Sequence, residues 1–98
     1  MALWAYPALK NFPKSERHTL VADIKKSLYR CLDLIIHAQK AKRKTKWLYD
    51  LDVELEVLTA KVRLSAELQF LPAKKYRVWS EQLTEIGRMV GGWIKATT

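Results

Sequence analysis

The sequence contains few of the residues that define several other protein classes. It has one cysteine, three glycines and three prolines in 98 residues. A single cysteine excludes an intrachain disulfide framework and a cysteine-rich zinc site. So few glycines and prolines exclude a collagen-like or low-complexity chain. No apolar run approaches the roughly 18 residues of a membrane-spanning helix. The first ten residues lack the charged and apolar regions of a signal peptide, and we expect a cytoplasmic protein.

Signals for β-structure are also missing. No segment alternates apolar and polar residues for long, and Asn-Gly and Asp-Gly turns do not occur. Three segments instead repeat apolar residues at helical spacing. With 49% hydrophobic residues, a chain of this length forms one small domain, residues 1–98, with a core of moderate size.

The positive charge is concentrated in the first half of the chain. Residues 1–46 hold 11 basic and 3 acidic residues, whereas residues 47–98 hold seven of each, so the whole net charge of +8 lies in the first half. Its densest part is KAKRKTK, residues 40–46, with five cations and no anion. This asymmetry predicts a polyanionic partner, nucleic acid first and an anionic membrane second. The alternative is a solvated loop that only increases solubility.

The first long helix is predicted from about residue 15 to about residue 40, with Ser15 as its cap. Its core stripe is Leu20, Ile24, Leu28, Cys31 and Ile35. A mainly basic outer stripe lies opposite, formed by Lys26, Arg30, Asp33, His37 and Lys40.

The second long helix, from about residue 45 to about residue 70, is apolar on two nearly opposite sides. Its inner seam is Leu48, Leu51, Leu55, Leu58 and Val62. Its outer strip is Val53, Val57, Ala60 and Leu64. Because a few helices rarely enclose one of their own completely, we expect this strip to contribute to an interface between subunits. The alternative is that it packs against the N-terminal helix of the same chain.

The third long helix follows Pro72. Its seam has heptad spacing and comprises Tyr76, Trp79, Leu83, Ile86, Val90 and Trp93. Gly87, Gly91 and Gly92 each cost about 1 kcal/mol relative to alanine in a helix. Close approach by another helix or subunit would compensate for that cost, so we assign these glycines and Trp93 to the interface. The N-terminal segment LWAYPALKNF predicts a short helix that Pro7 kinks or starts. Together these segments predict an all-α, up-down four-helix bundle with three long helices and a short first one.

No constellation of residues predicts catalysis. His18 and His37 are separated by roughly 28 Å of helix, so they cannot share a metal within one chain. Metal-ligand motifs and a glycine-rich phosphate loop are absent from the sequence. We therefore expect no enzyme activity, no metal and no cofactor.

Several stretches together resemble the accessory variability determinants of diversity-generating retroelements. They are NFPKSER (11–17), LIIHAQKAK (34–42), DVELEVLTAKVRLSAEL (52–68) and, most specifically, EIGRMVGGWIK (85–95). A sister group, the four-helix proteins encoded in intervening sequences of large-subunit ribosomal RNA genes, is similar. The sequence departs from the family pattern in one respect, because only about eleven residues precede the Phe-Pro turn, whereas the family usually has more N-terminal sequence. The matching positions are structural or basic: Phe12, Pro13, Glu16, Arg17, Gly87, Arg88, Gly91, Gly92 and Trp93.

The resemblance implies a non-catalytic four-helix bundle that assembles into a homopentameric barrel. It also implies a basic surface for structured template RNA, with complementary DNA as a further ligand, and association with a reverse transcriptase in mutagenic retrohoming. We expect little base reading, and we assign the phosphate contacts to Lys40, Lys42, Arg43, Lys44 and Lys46, with Lys26 and Arg30 behind them. Two other hypotheses are a protein scaffold without RNA binding and a basic peripheral membrane protein. The second ranks last because no wide apolar face accompanies the cations.

Overall fold

Four α-helices form most of the chain. The computed structural model describes residues 1–97, and its helices are α1 (Ala2–Lys10), α2 (Leu20–Lys40), α3 (Thr45–Glu67) and α4 (Ala73–Thr97). A 3₁₀ turn at Lys14–Glu16 lies between α1 and α2. No strand occurs in the described residues. The prediction of an all-α chain with three long helices and a short first one is confirmed.

Helix α3 is the central helix, because it packs against both α2 and α4. All five residues of its predicted inner seam are buried: Leu48, Leu51, Leu55, Leu58 and Val62. The predicted core stripe of α2 is buried from Leu20 to Cys31, and Ile35 is partly buried against the core. In α4, Trp79 is fully buried at the centre of the seam, with Leu83 and Val90 on the same side.

Polar contacts show that α2 and α3 run antiparallel. The guanidinium of Arg30 lies 3.8 Å from the Glu54 carboxylate, midway along both helices. Nearer the start of α2, the Lys61 ammonium donates to Ser27 Oγ at 2.8 Å. Ser27 is 2% exposed, so this bond satisfies a hydroxyl that would otherwise be costly to bury.

Helix α1 closes one side of the bundle. Ala5, Ala8 and Leu9 are buried, and the Trp4 ring meets the Trp79 ring edge to face, with centroids 5.6 Å apart. Pro7 lies inside α1 rather than at its start. The predicted short N-terminal helix is therefore present, with its proline in the second turn.

The predicted start of α2 was wrong by about five residues. The helix begins at Leu20, and the residues before it form the separate 3₁₀ turn. Thr19 stands at the cap position, but its hydroxyl donates to Glu16 Oε1 at 2.9 Å instead of capping the helix. Ser15 is not the cap. Side-chain bonds within this turn compete with helix formation, and the turn is favoured here.

Cys31 is a core residue, as its place in the apolar stripe predicted. It is 5% exposed. Burial, with a smaller contribution from the nearby Glu54 carboxylate, raises the pKa of the Cys31 thiol to about 11. The sulfur therefore stays protonated near neutral pH, which disfavours its reaction as a nucleophile.

Helix α3 ends in a Schellman motif, three residues before the predicted end. The Phe70 N–H donates to Ser65 O and the Gln69 N–H to Ala66 O, both at 3.0 Å. Gln69 occupies the left-handed region with φ 65°. Glycine usually takes this position, because a Cβ is strained there.

Replacing Gln69 by glycine should therefore stabilise the fold. We expect Gln69→Gly to raise the free energy of unfolding by about 0.5–1 kcal/mol, because relief of the left-handed strain exceeds the added entropy of the unfolded chain. Urea denaturation followed by circular dichroism measures the change. Gln69→Ala keeps the Cβ and is the matched control, for which we expect no gain. An equal gain in both variants would contradict the backbone argument.

Candidate nucleic-acid interface

The four residues 41–44 that join α2 to α3 are held by the end of α2 itself. The Lys44 ammonium donates to Ala38 O at 2.8 Å and to Gln39 O at 3.0 Å. The Ala41 N–H donates to His37 O at 2.9 Å. These bonds satisfy three of the carbonyls that a helix end leaves without partners, and the positive charge of Lys44 complements the negative end of the helix dipole.

Most cations of this region project into solvent. We call Lys40, Lys42, Arg43, Lys44 and Lys46 the basic connection. All are exposed except Lys44, which is partly buried by its bonds to α2. Four of them, with Thr45 and Thr97, line an open depression between the connection and the end of α4. Of the five cations predicted from the sequence, the depression therefore brings together four, and Lys40 lies at the adjoining end of α2.

The start of α3 adds to the positive potential at this end. Its first turn contains no acidic residue, and no side chain caps it. The positive end of the α3 dipole therefore lies beside the basic connection without an internal counter-charge in that turn.

The two other predicted cations lie apart from this cluster. Lys26 is 14 residues before Lys40, or about 21 Å along the helix axis. Arg30 is nearer, but it forms the ion pair with Glu54 that links α2 to α3. Both side chains are exposed, yet they form a separate region of the α2 surface.

An aromatic pair beside the basic connection was not predicted. The His37 and Trp47 rings stack with centroids 4.4 Å apart and planes inclined by 11°. The Lys46 ammonium lies 5.6 Å from the centre of the Trp47 ring. His37 belongs to α2 and Trp47 to α3, so no spacing within one helix could reveal the pair.

A second basic region lies at the other end of α2 and was also missed. A cleft of about 260 Å³ runs between α1, the 3₁₀ turn and α2. Four cations line it around an apolar floor that includes Leu9, Phe12 and Val21. The four are Lys10, Lys14, Arg17 and Lys25. Because these cations come from three different elements, no pattern within one segment of the sequence predicts the cleft.

The outer strip of α3 is uncovered in the single chain. Val53 is 61% exposed, Leu64 44% and Val57 38%, and Ala60 is exposed as well. The strip therefore does not pack against α1. Apolar side chains exposed along one side of a helix are a feature of interaction surfaces.

The predicted close approach at the α4 glycines does not come from this chain. Apart from the adjacent residues and the backbone of α4 itself, a Cβ placed on Gly87, Gly91 or Gly92 would have no atom within 4 Å among the described residues. Trp93 beside them is partly buried. The predicted close approach of another helix of the same chain to these glycines was wrong. Close approach of another subunit stays a prediction.

Two other kinds of feature are not found in residues 1–97. Nowhere in that range do three or more His, Cys, Asp or Glu side chains meet in a way that could hold a metal ion. None of the helices described is long and apolar enough to cross a membrane.

Comparison with known proteins identifies one family. The family model described as bAvd-like matches residues 1–97, which is almost the whole chain. No curated protein and no solved structure matches. The family match confirms the resemblance to the accessory variability determinants that the sequence motifs carried.

Lys44 should differ from its neighbours in its effect on stability. We expect Lys44→Ala to lower the free energy of unfolding by about 1 kcal/mol, because two carbonyls of α2 lose their donor. Lys42→Ala is the matched control, since Lys42 is exposed, and its effect should stay within about 0.5 kcal/mol. Urea denaturation measures both. Equal effects of the two substitutions would mean that the Lys44 bonds do not stabilise the connection.

Proposed function

The chain belongs to the bAvd-like family, and on that premise we propose that it is a non-catalytic, nucleic-acid-binding accessory subunit of a diversity-generating retroelement. In this role it assembles with copies of itself and binds a reverse transcriptase together with structured template RNA. Complementary DNA is a further ligand of the same surface. The subunit would support mutagenic retrohoming without an active site of its own.

The observation that carries the binding role is the grouping of cations at one end of the molecule. Lys40, Lys42, Arg43 and Lys46 are exposed there, beside the uncapped start of α3. Phosphate contacts of this kind release counterions and provide affinity without reading sequence. Lys26 and Arg30 would extend the phosphate path along α2, with Arg30 weakened by its pairing to Glu54.

The outer strip of α3 supports the self-association. We assign Val53, Val57, Ala60 and Leu64 to this interface, together with Gly87, Gly91, Gly92 and Trp93 of α4. Five copies is the number that the family resemblance implies. In a ring, the basic connection would repeat once per subunit, and weak contacts would add through effective concentration.

The family match favours the retroelement setting over the ribosomal RNA intervening-sequence setting. A reverse-transcriptase gene beside a template repeat and a variable-protein gene would establish it. A pure scaffold role remains the alternative. It would be supported by a nuclease-resistant complex with reverse transcriptase and no affinity for bare RNA.

Charge reversal tests the binding role. We expect the fourfold variant Lys40→Glu, Lys42→Glu, Arg43→Glu, Lys46→Glu to bind a structured RNA at least tenfold more weakly. The slope of log affinity against log salt should fall by about 3, because about four phosphate contacts are lost. Fluorescence anisotropy across a salt series measures both quantities.

A variant with the same change in net charge is the control. It reverses four cations near the opposite end of α3 and the start of α4: Arg63, Lys74, Lys75 and Arg77. We expect it to retain most of the affinity and more of the salt slope. If both variants lose affinity equally, net charge rather than the basic connection determines binding. If neither loses affinity, the site assignment is wrong.

Two substitutions test the self-association. Val57→Asp should dissociate the oligomer and leave the fold intact, because Val57 is exposed in the single chain. Gly91→Ala should stabilise the isolated helix by up to about 1 kcal/mol and yet weaken association, because its methyl group would separate the subunits. Sedimentation velocity measures the assembly and thermal unfolding the stability. Met89→Asp, an exposed apolar side chain outside the assigned interface, is the control. Dissociation by the Met89 variant alone would refute the assignment.

A further inference from the structure

In the His37–Trp47 stack, the hydrophobic core holds Trp47, whereas His37 lies on the exposed side. Trp47 is partly buried and packs against the hydrophobic core. His37 is exposed although one face of its imidazole lies on the indole. Any exposed area of the imidazole therefore lies on its other face and on the ring edges. The core thus fixes the orientation of a small planar surface.

Cations on both helices lie near the stack. Lys40 follows His37 by three residues, so it lies on the same side of α2 about one turn away. Lys46 lies over the Trp47 ring, and Lys44 is bonded to the α2 carbonyls between the two helices. The nearest carboxylates in sequence are those of Asp33 and Asp50, each about one turn from its ring on the side away from the connection.

A ring face beside cations fits unpaired nucleotides better than it fits a duplex. An unpaired base has a free π-face that can stack on imidazole while its flanking phosphates reach nearby cations. The bases of a duplex already stack on each other, so a duplex offers this site its phosphates alone. Burial of Trp47 does not require a ring at position 37, because Trp47 already packs against the hydrophobic core.

We propose that the His37–Trp47 stack is a base-stacking platform, so that the basic connection binds unpaired nucleotides in preference to duplex. The inference rests on the proposed nucleic-acid function and narrows its ligand to single-stranded segments of RNA or DNA. His37 contacts the base, and Lys40, Lys42, Arg43 and Lys46 contact the phosphates. Trp47 positions His37.

The test compares three labelled probes by fluorescence anisotropy: a uridine-rich 12-mer RNA, a thymidine 12-mer DNA and an RNA duplex of equal length. His37→Ala should weaken binding of the single strands by about fivefold or more, the loss expected for one stacked base. Duplex binding should change by less than twofold. The salt slope should stay the same for every probe, because no phosphate contact is removed. The RNA and DNA probes show whether the sugar matters.

Three further variants separate stacking from charge and from folding. His37→Phe keeps a ring and should restore single-strand affinity to within about twofold of the original protein. Tyr49→Ala removes an exposed aromatic ring from the same part of α3 and should have no effect. Lys40→Ala should weaken single-strand and duplex binding alike and should lower the salt slope. Urea denaturation of each variant confirms that the fold is retained.

Each alternative outcome has a distinct meaning. Equal losses for single strand and duplex in His37→Ala, no loss for either, or failure of His37→Phe to restore affinity would overturn the stacking platform. In all three cases the proposed function stands, because the original protein still binds nucleic acid. If the original protein binds none of the three probes, the proposed function fails as well.

Discussion

The burial of one leucine-rich seam on α3 is the contact on which the rest of the structure depends. This helix packs against both α2 and α4, and its five seam residues are almost fully removed from water. Antiparallel packing of α2 on α3, which are joined by only four residues, places the end of α2 beside the start of α3, where the basic connection lies. It also leaves the opposite side of α3, with Val53, Val57 and Leu64, facing solvent. The buried core and the uncovered strip therefore both follow from the way α3 packs against α2 and α4.

The long helices were predictable because their signal is local. Apolar residues at helical spacing identify a buried face wherever the helix packs, and every residue of the α3 inner seam is buried as expected. The helix ends were less predictable, because they depend on competing local bonds. The Thr19–Glu16 hydrogen bond belongs to a turn where a continuous helix was expected. At the other end of the central helix, Gln69 adopts a conformation that its residue type does not suggest.

The candidate site shows the same division between local and non-local information. Counting charges along the chain located the basic connection, but a count cannot show what else each cation does. Lys44 is engaged by α2 carbonyls, and Arg30 is paired with a carboxylate on α3. The stacking of His37 on Trp47 and the cleft near Lys14 each join different elements, so only the folded chain reveals them. Net charge alone predicts a polyanionic partner. The positions of these side chains add which part of the surface such a partner would contact.

The connection between α2 and α3 also limits how this sequence can change over evolutionary time. Its length of four residues, 41–44, is fixed by two contacts. Lys44 must reach the carbonyls at the end of α2, and His37 of α2 must stack on Trp47 of α3. An insertion or deletion there would break both contacts together. Lys42 and Arg43, by contrast, take part in no hydrogen bond or ion pair within residues 1–97. Substitution at these two positions can therefore change the charge of this surface without breaking a contact of the fold, whereas a change of length or the loss of the long donor at position 44 cannot.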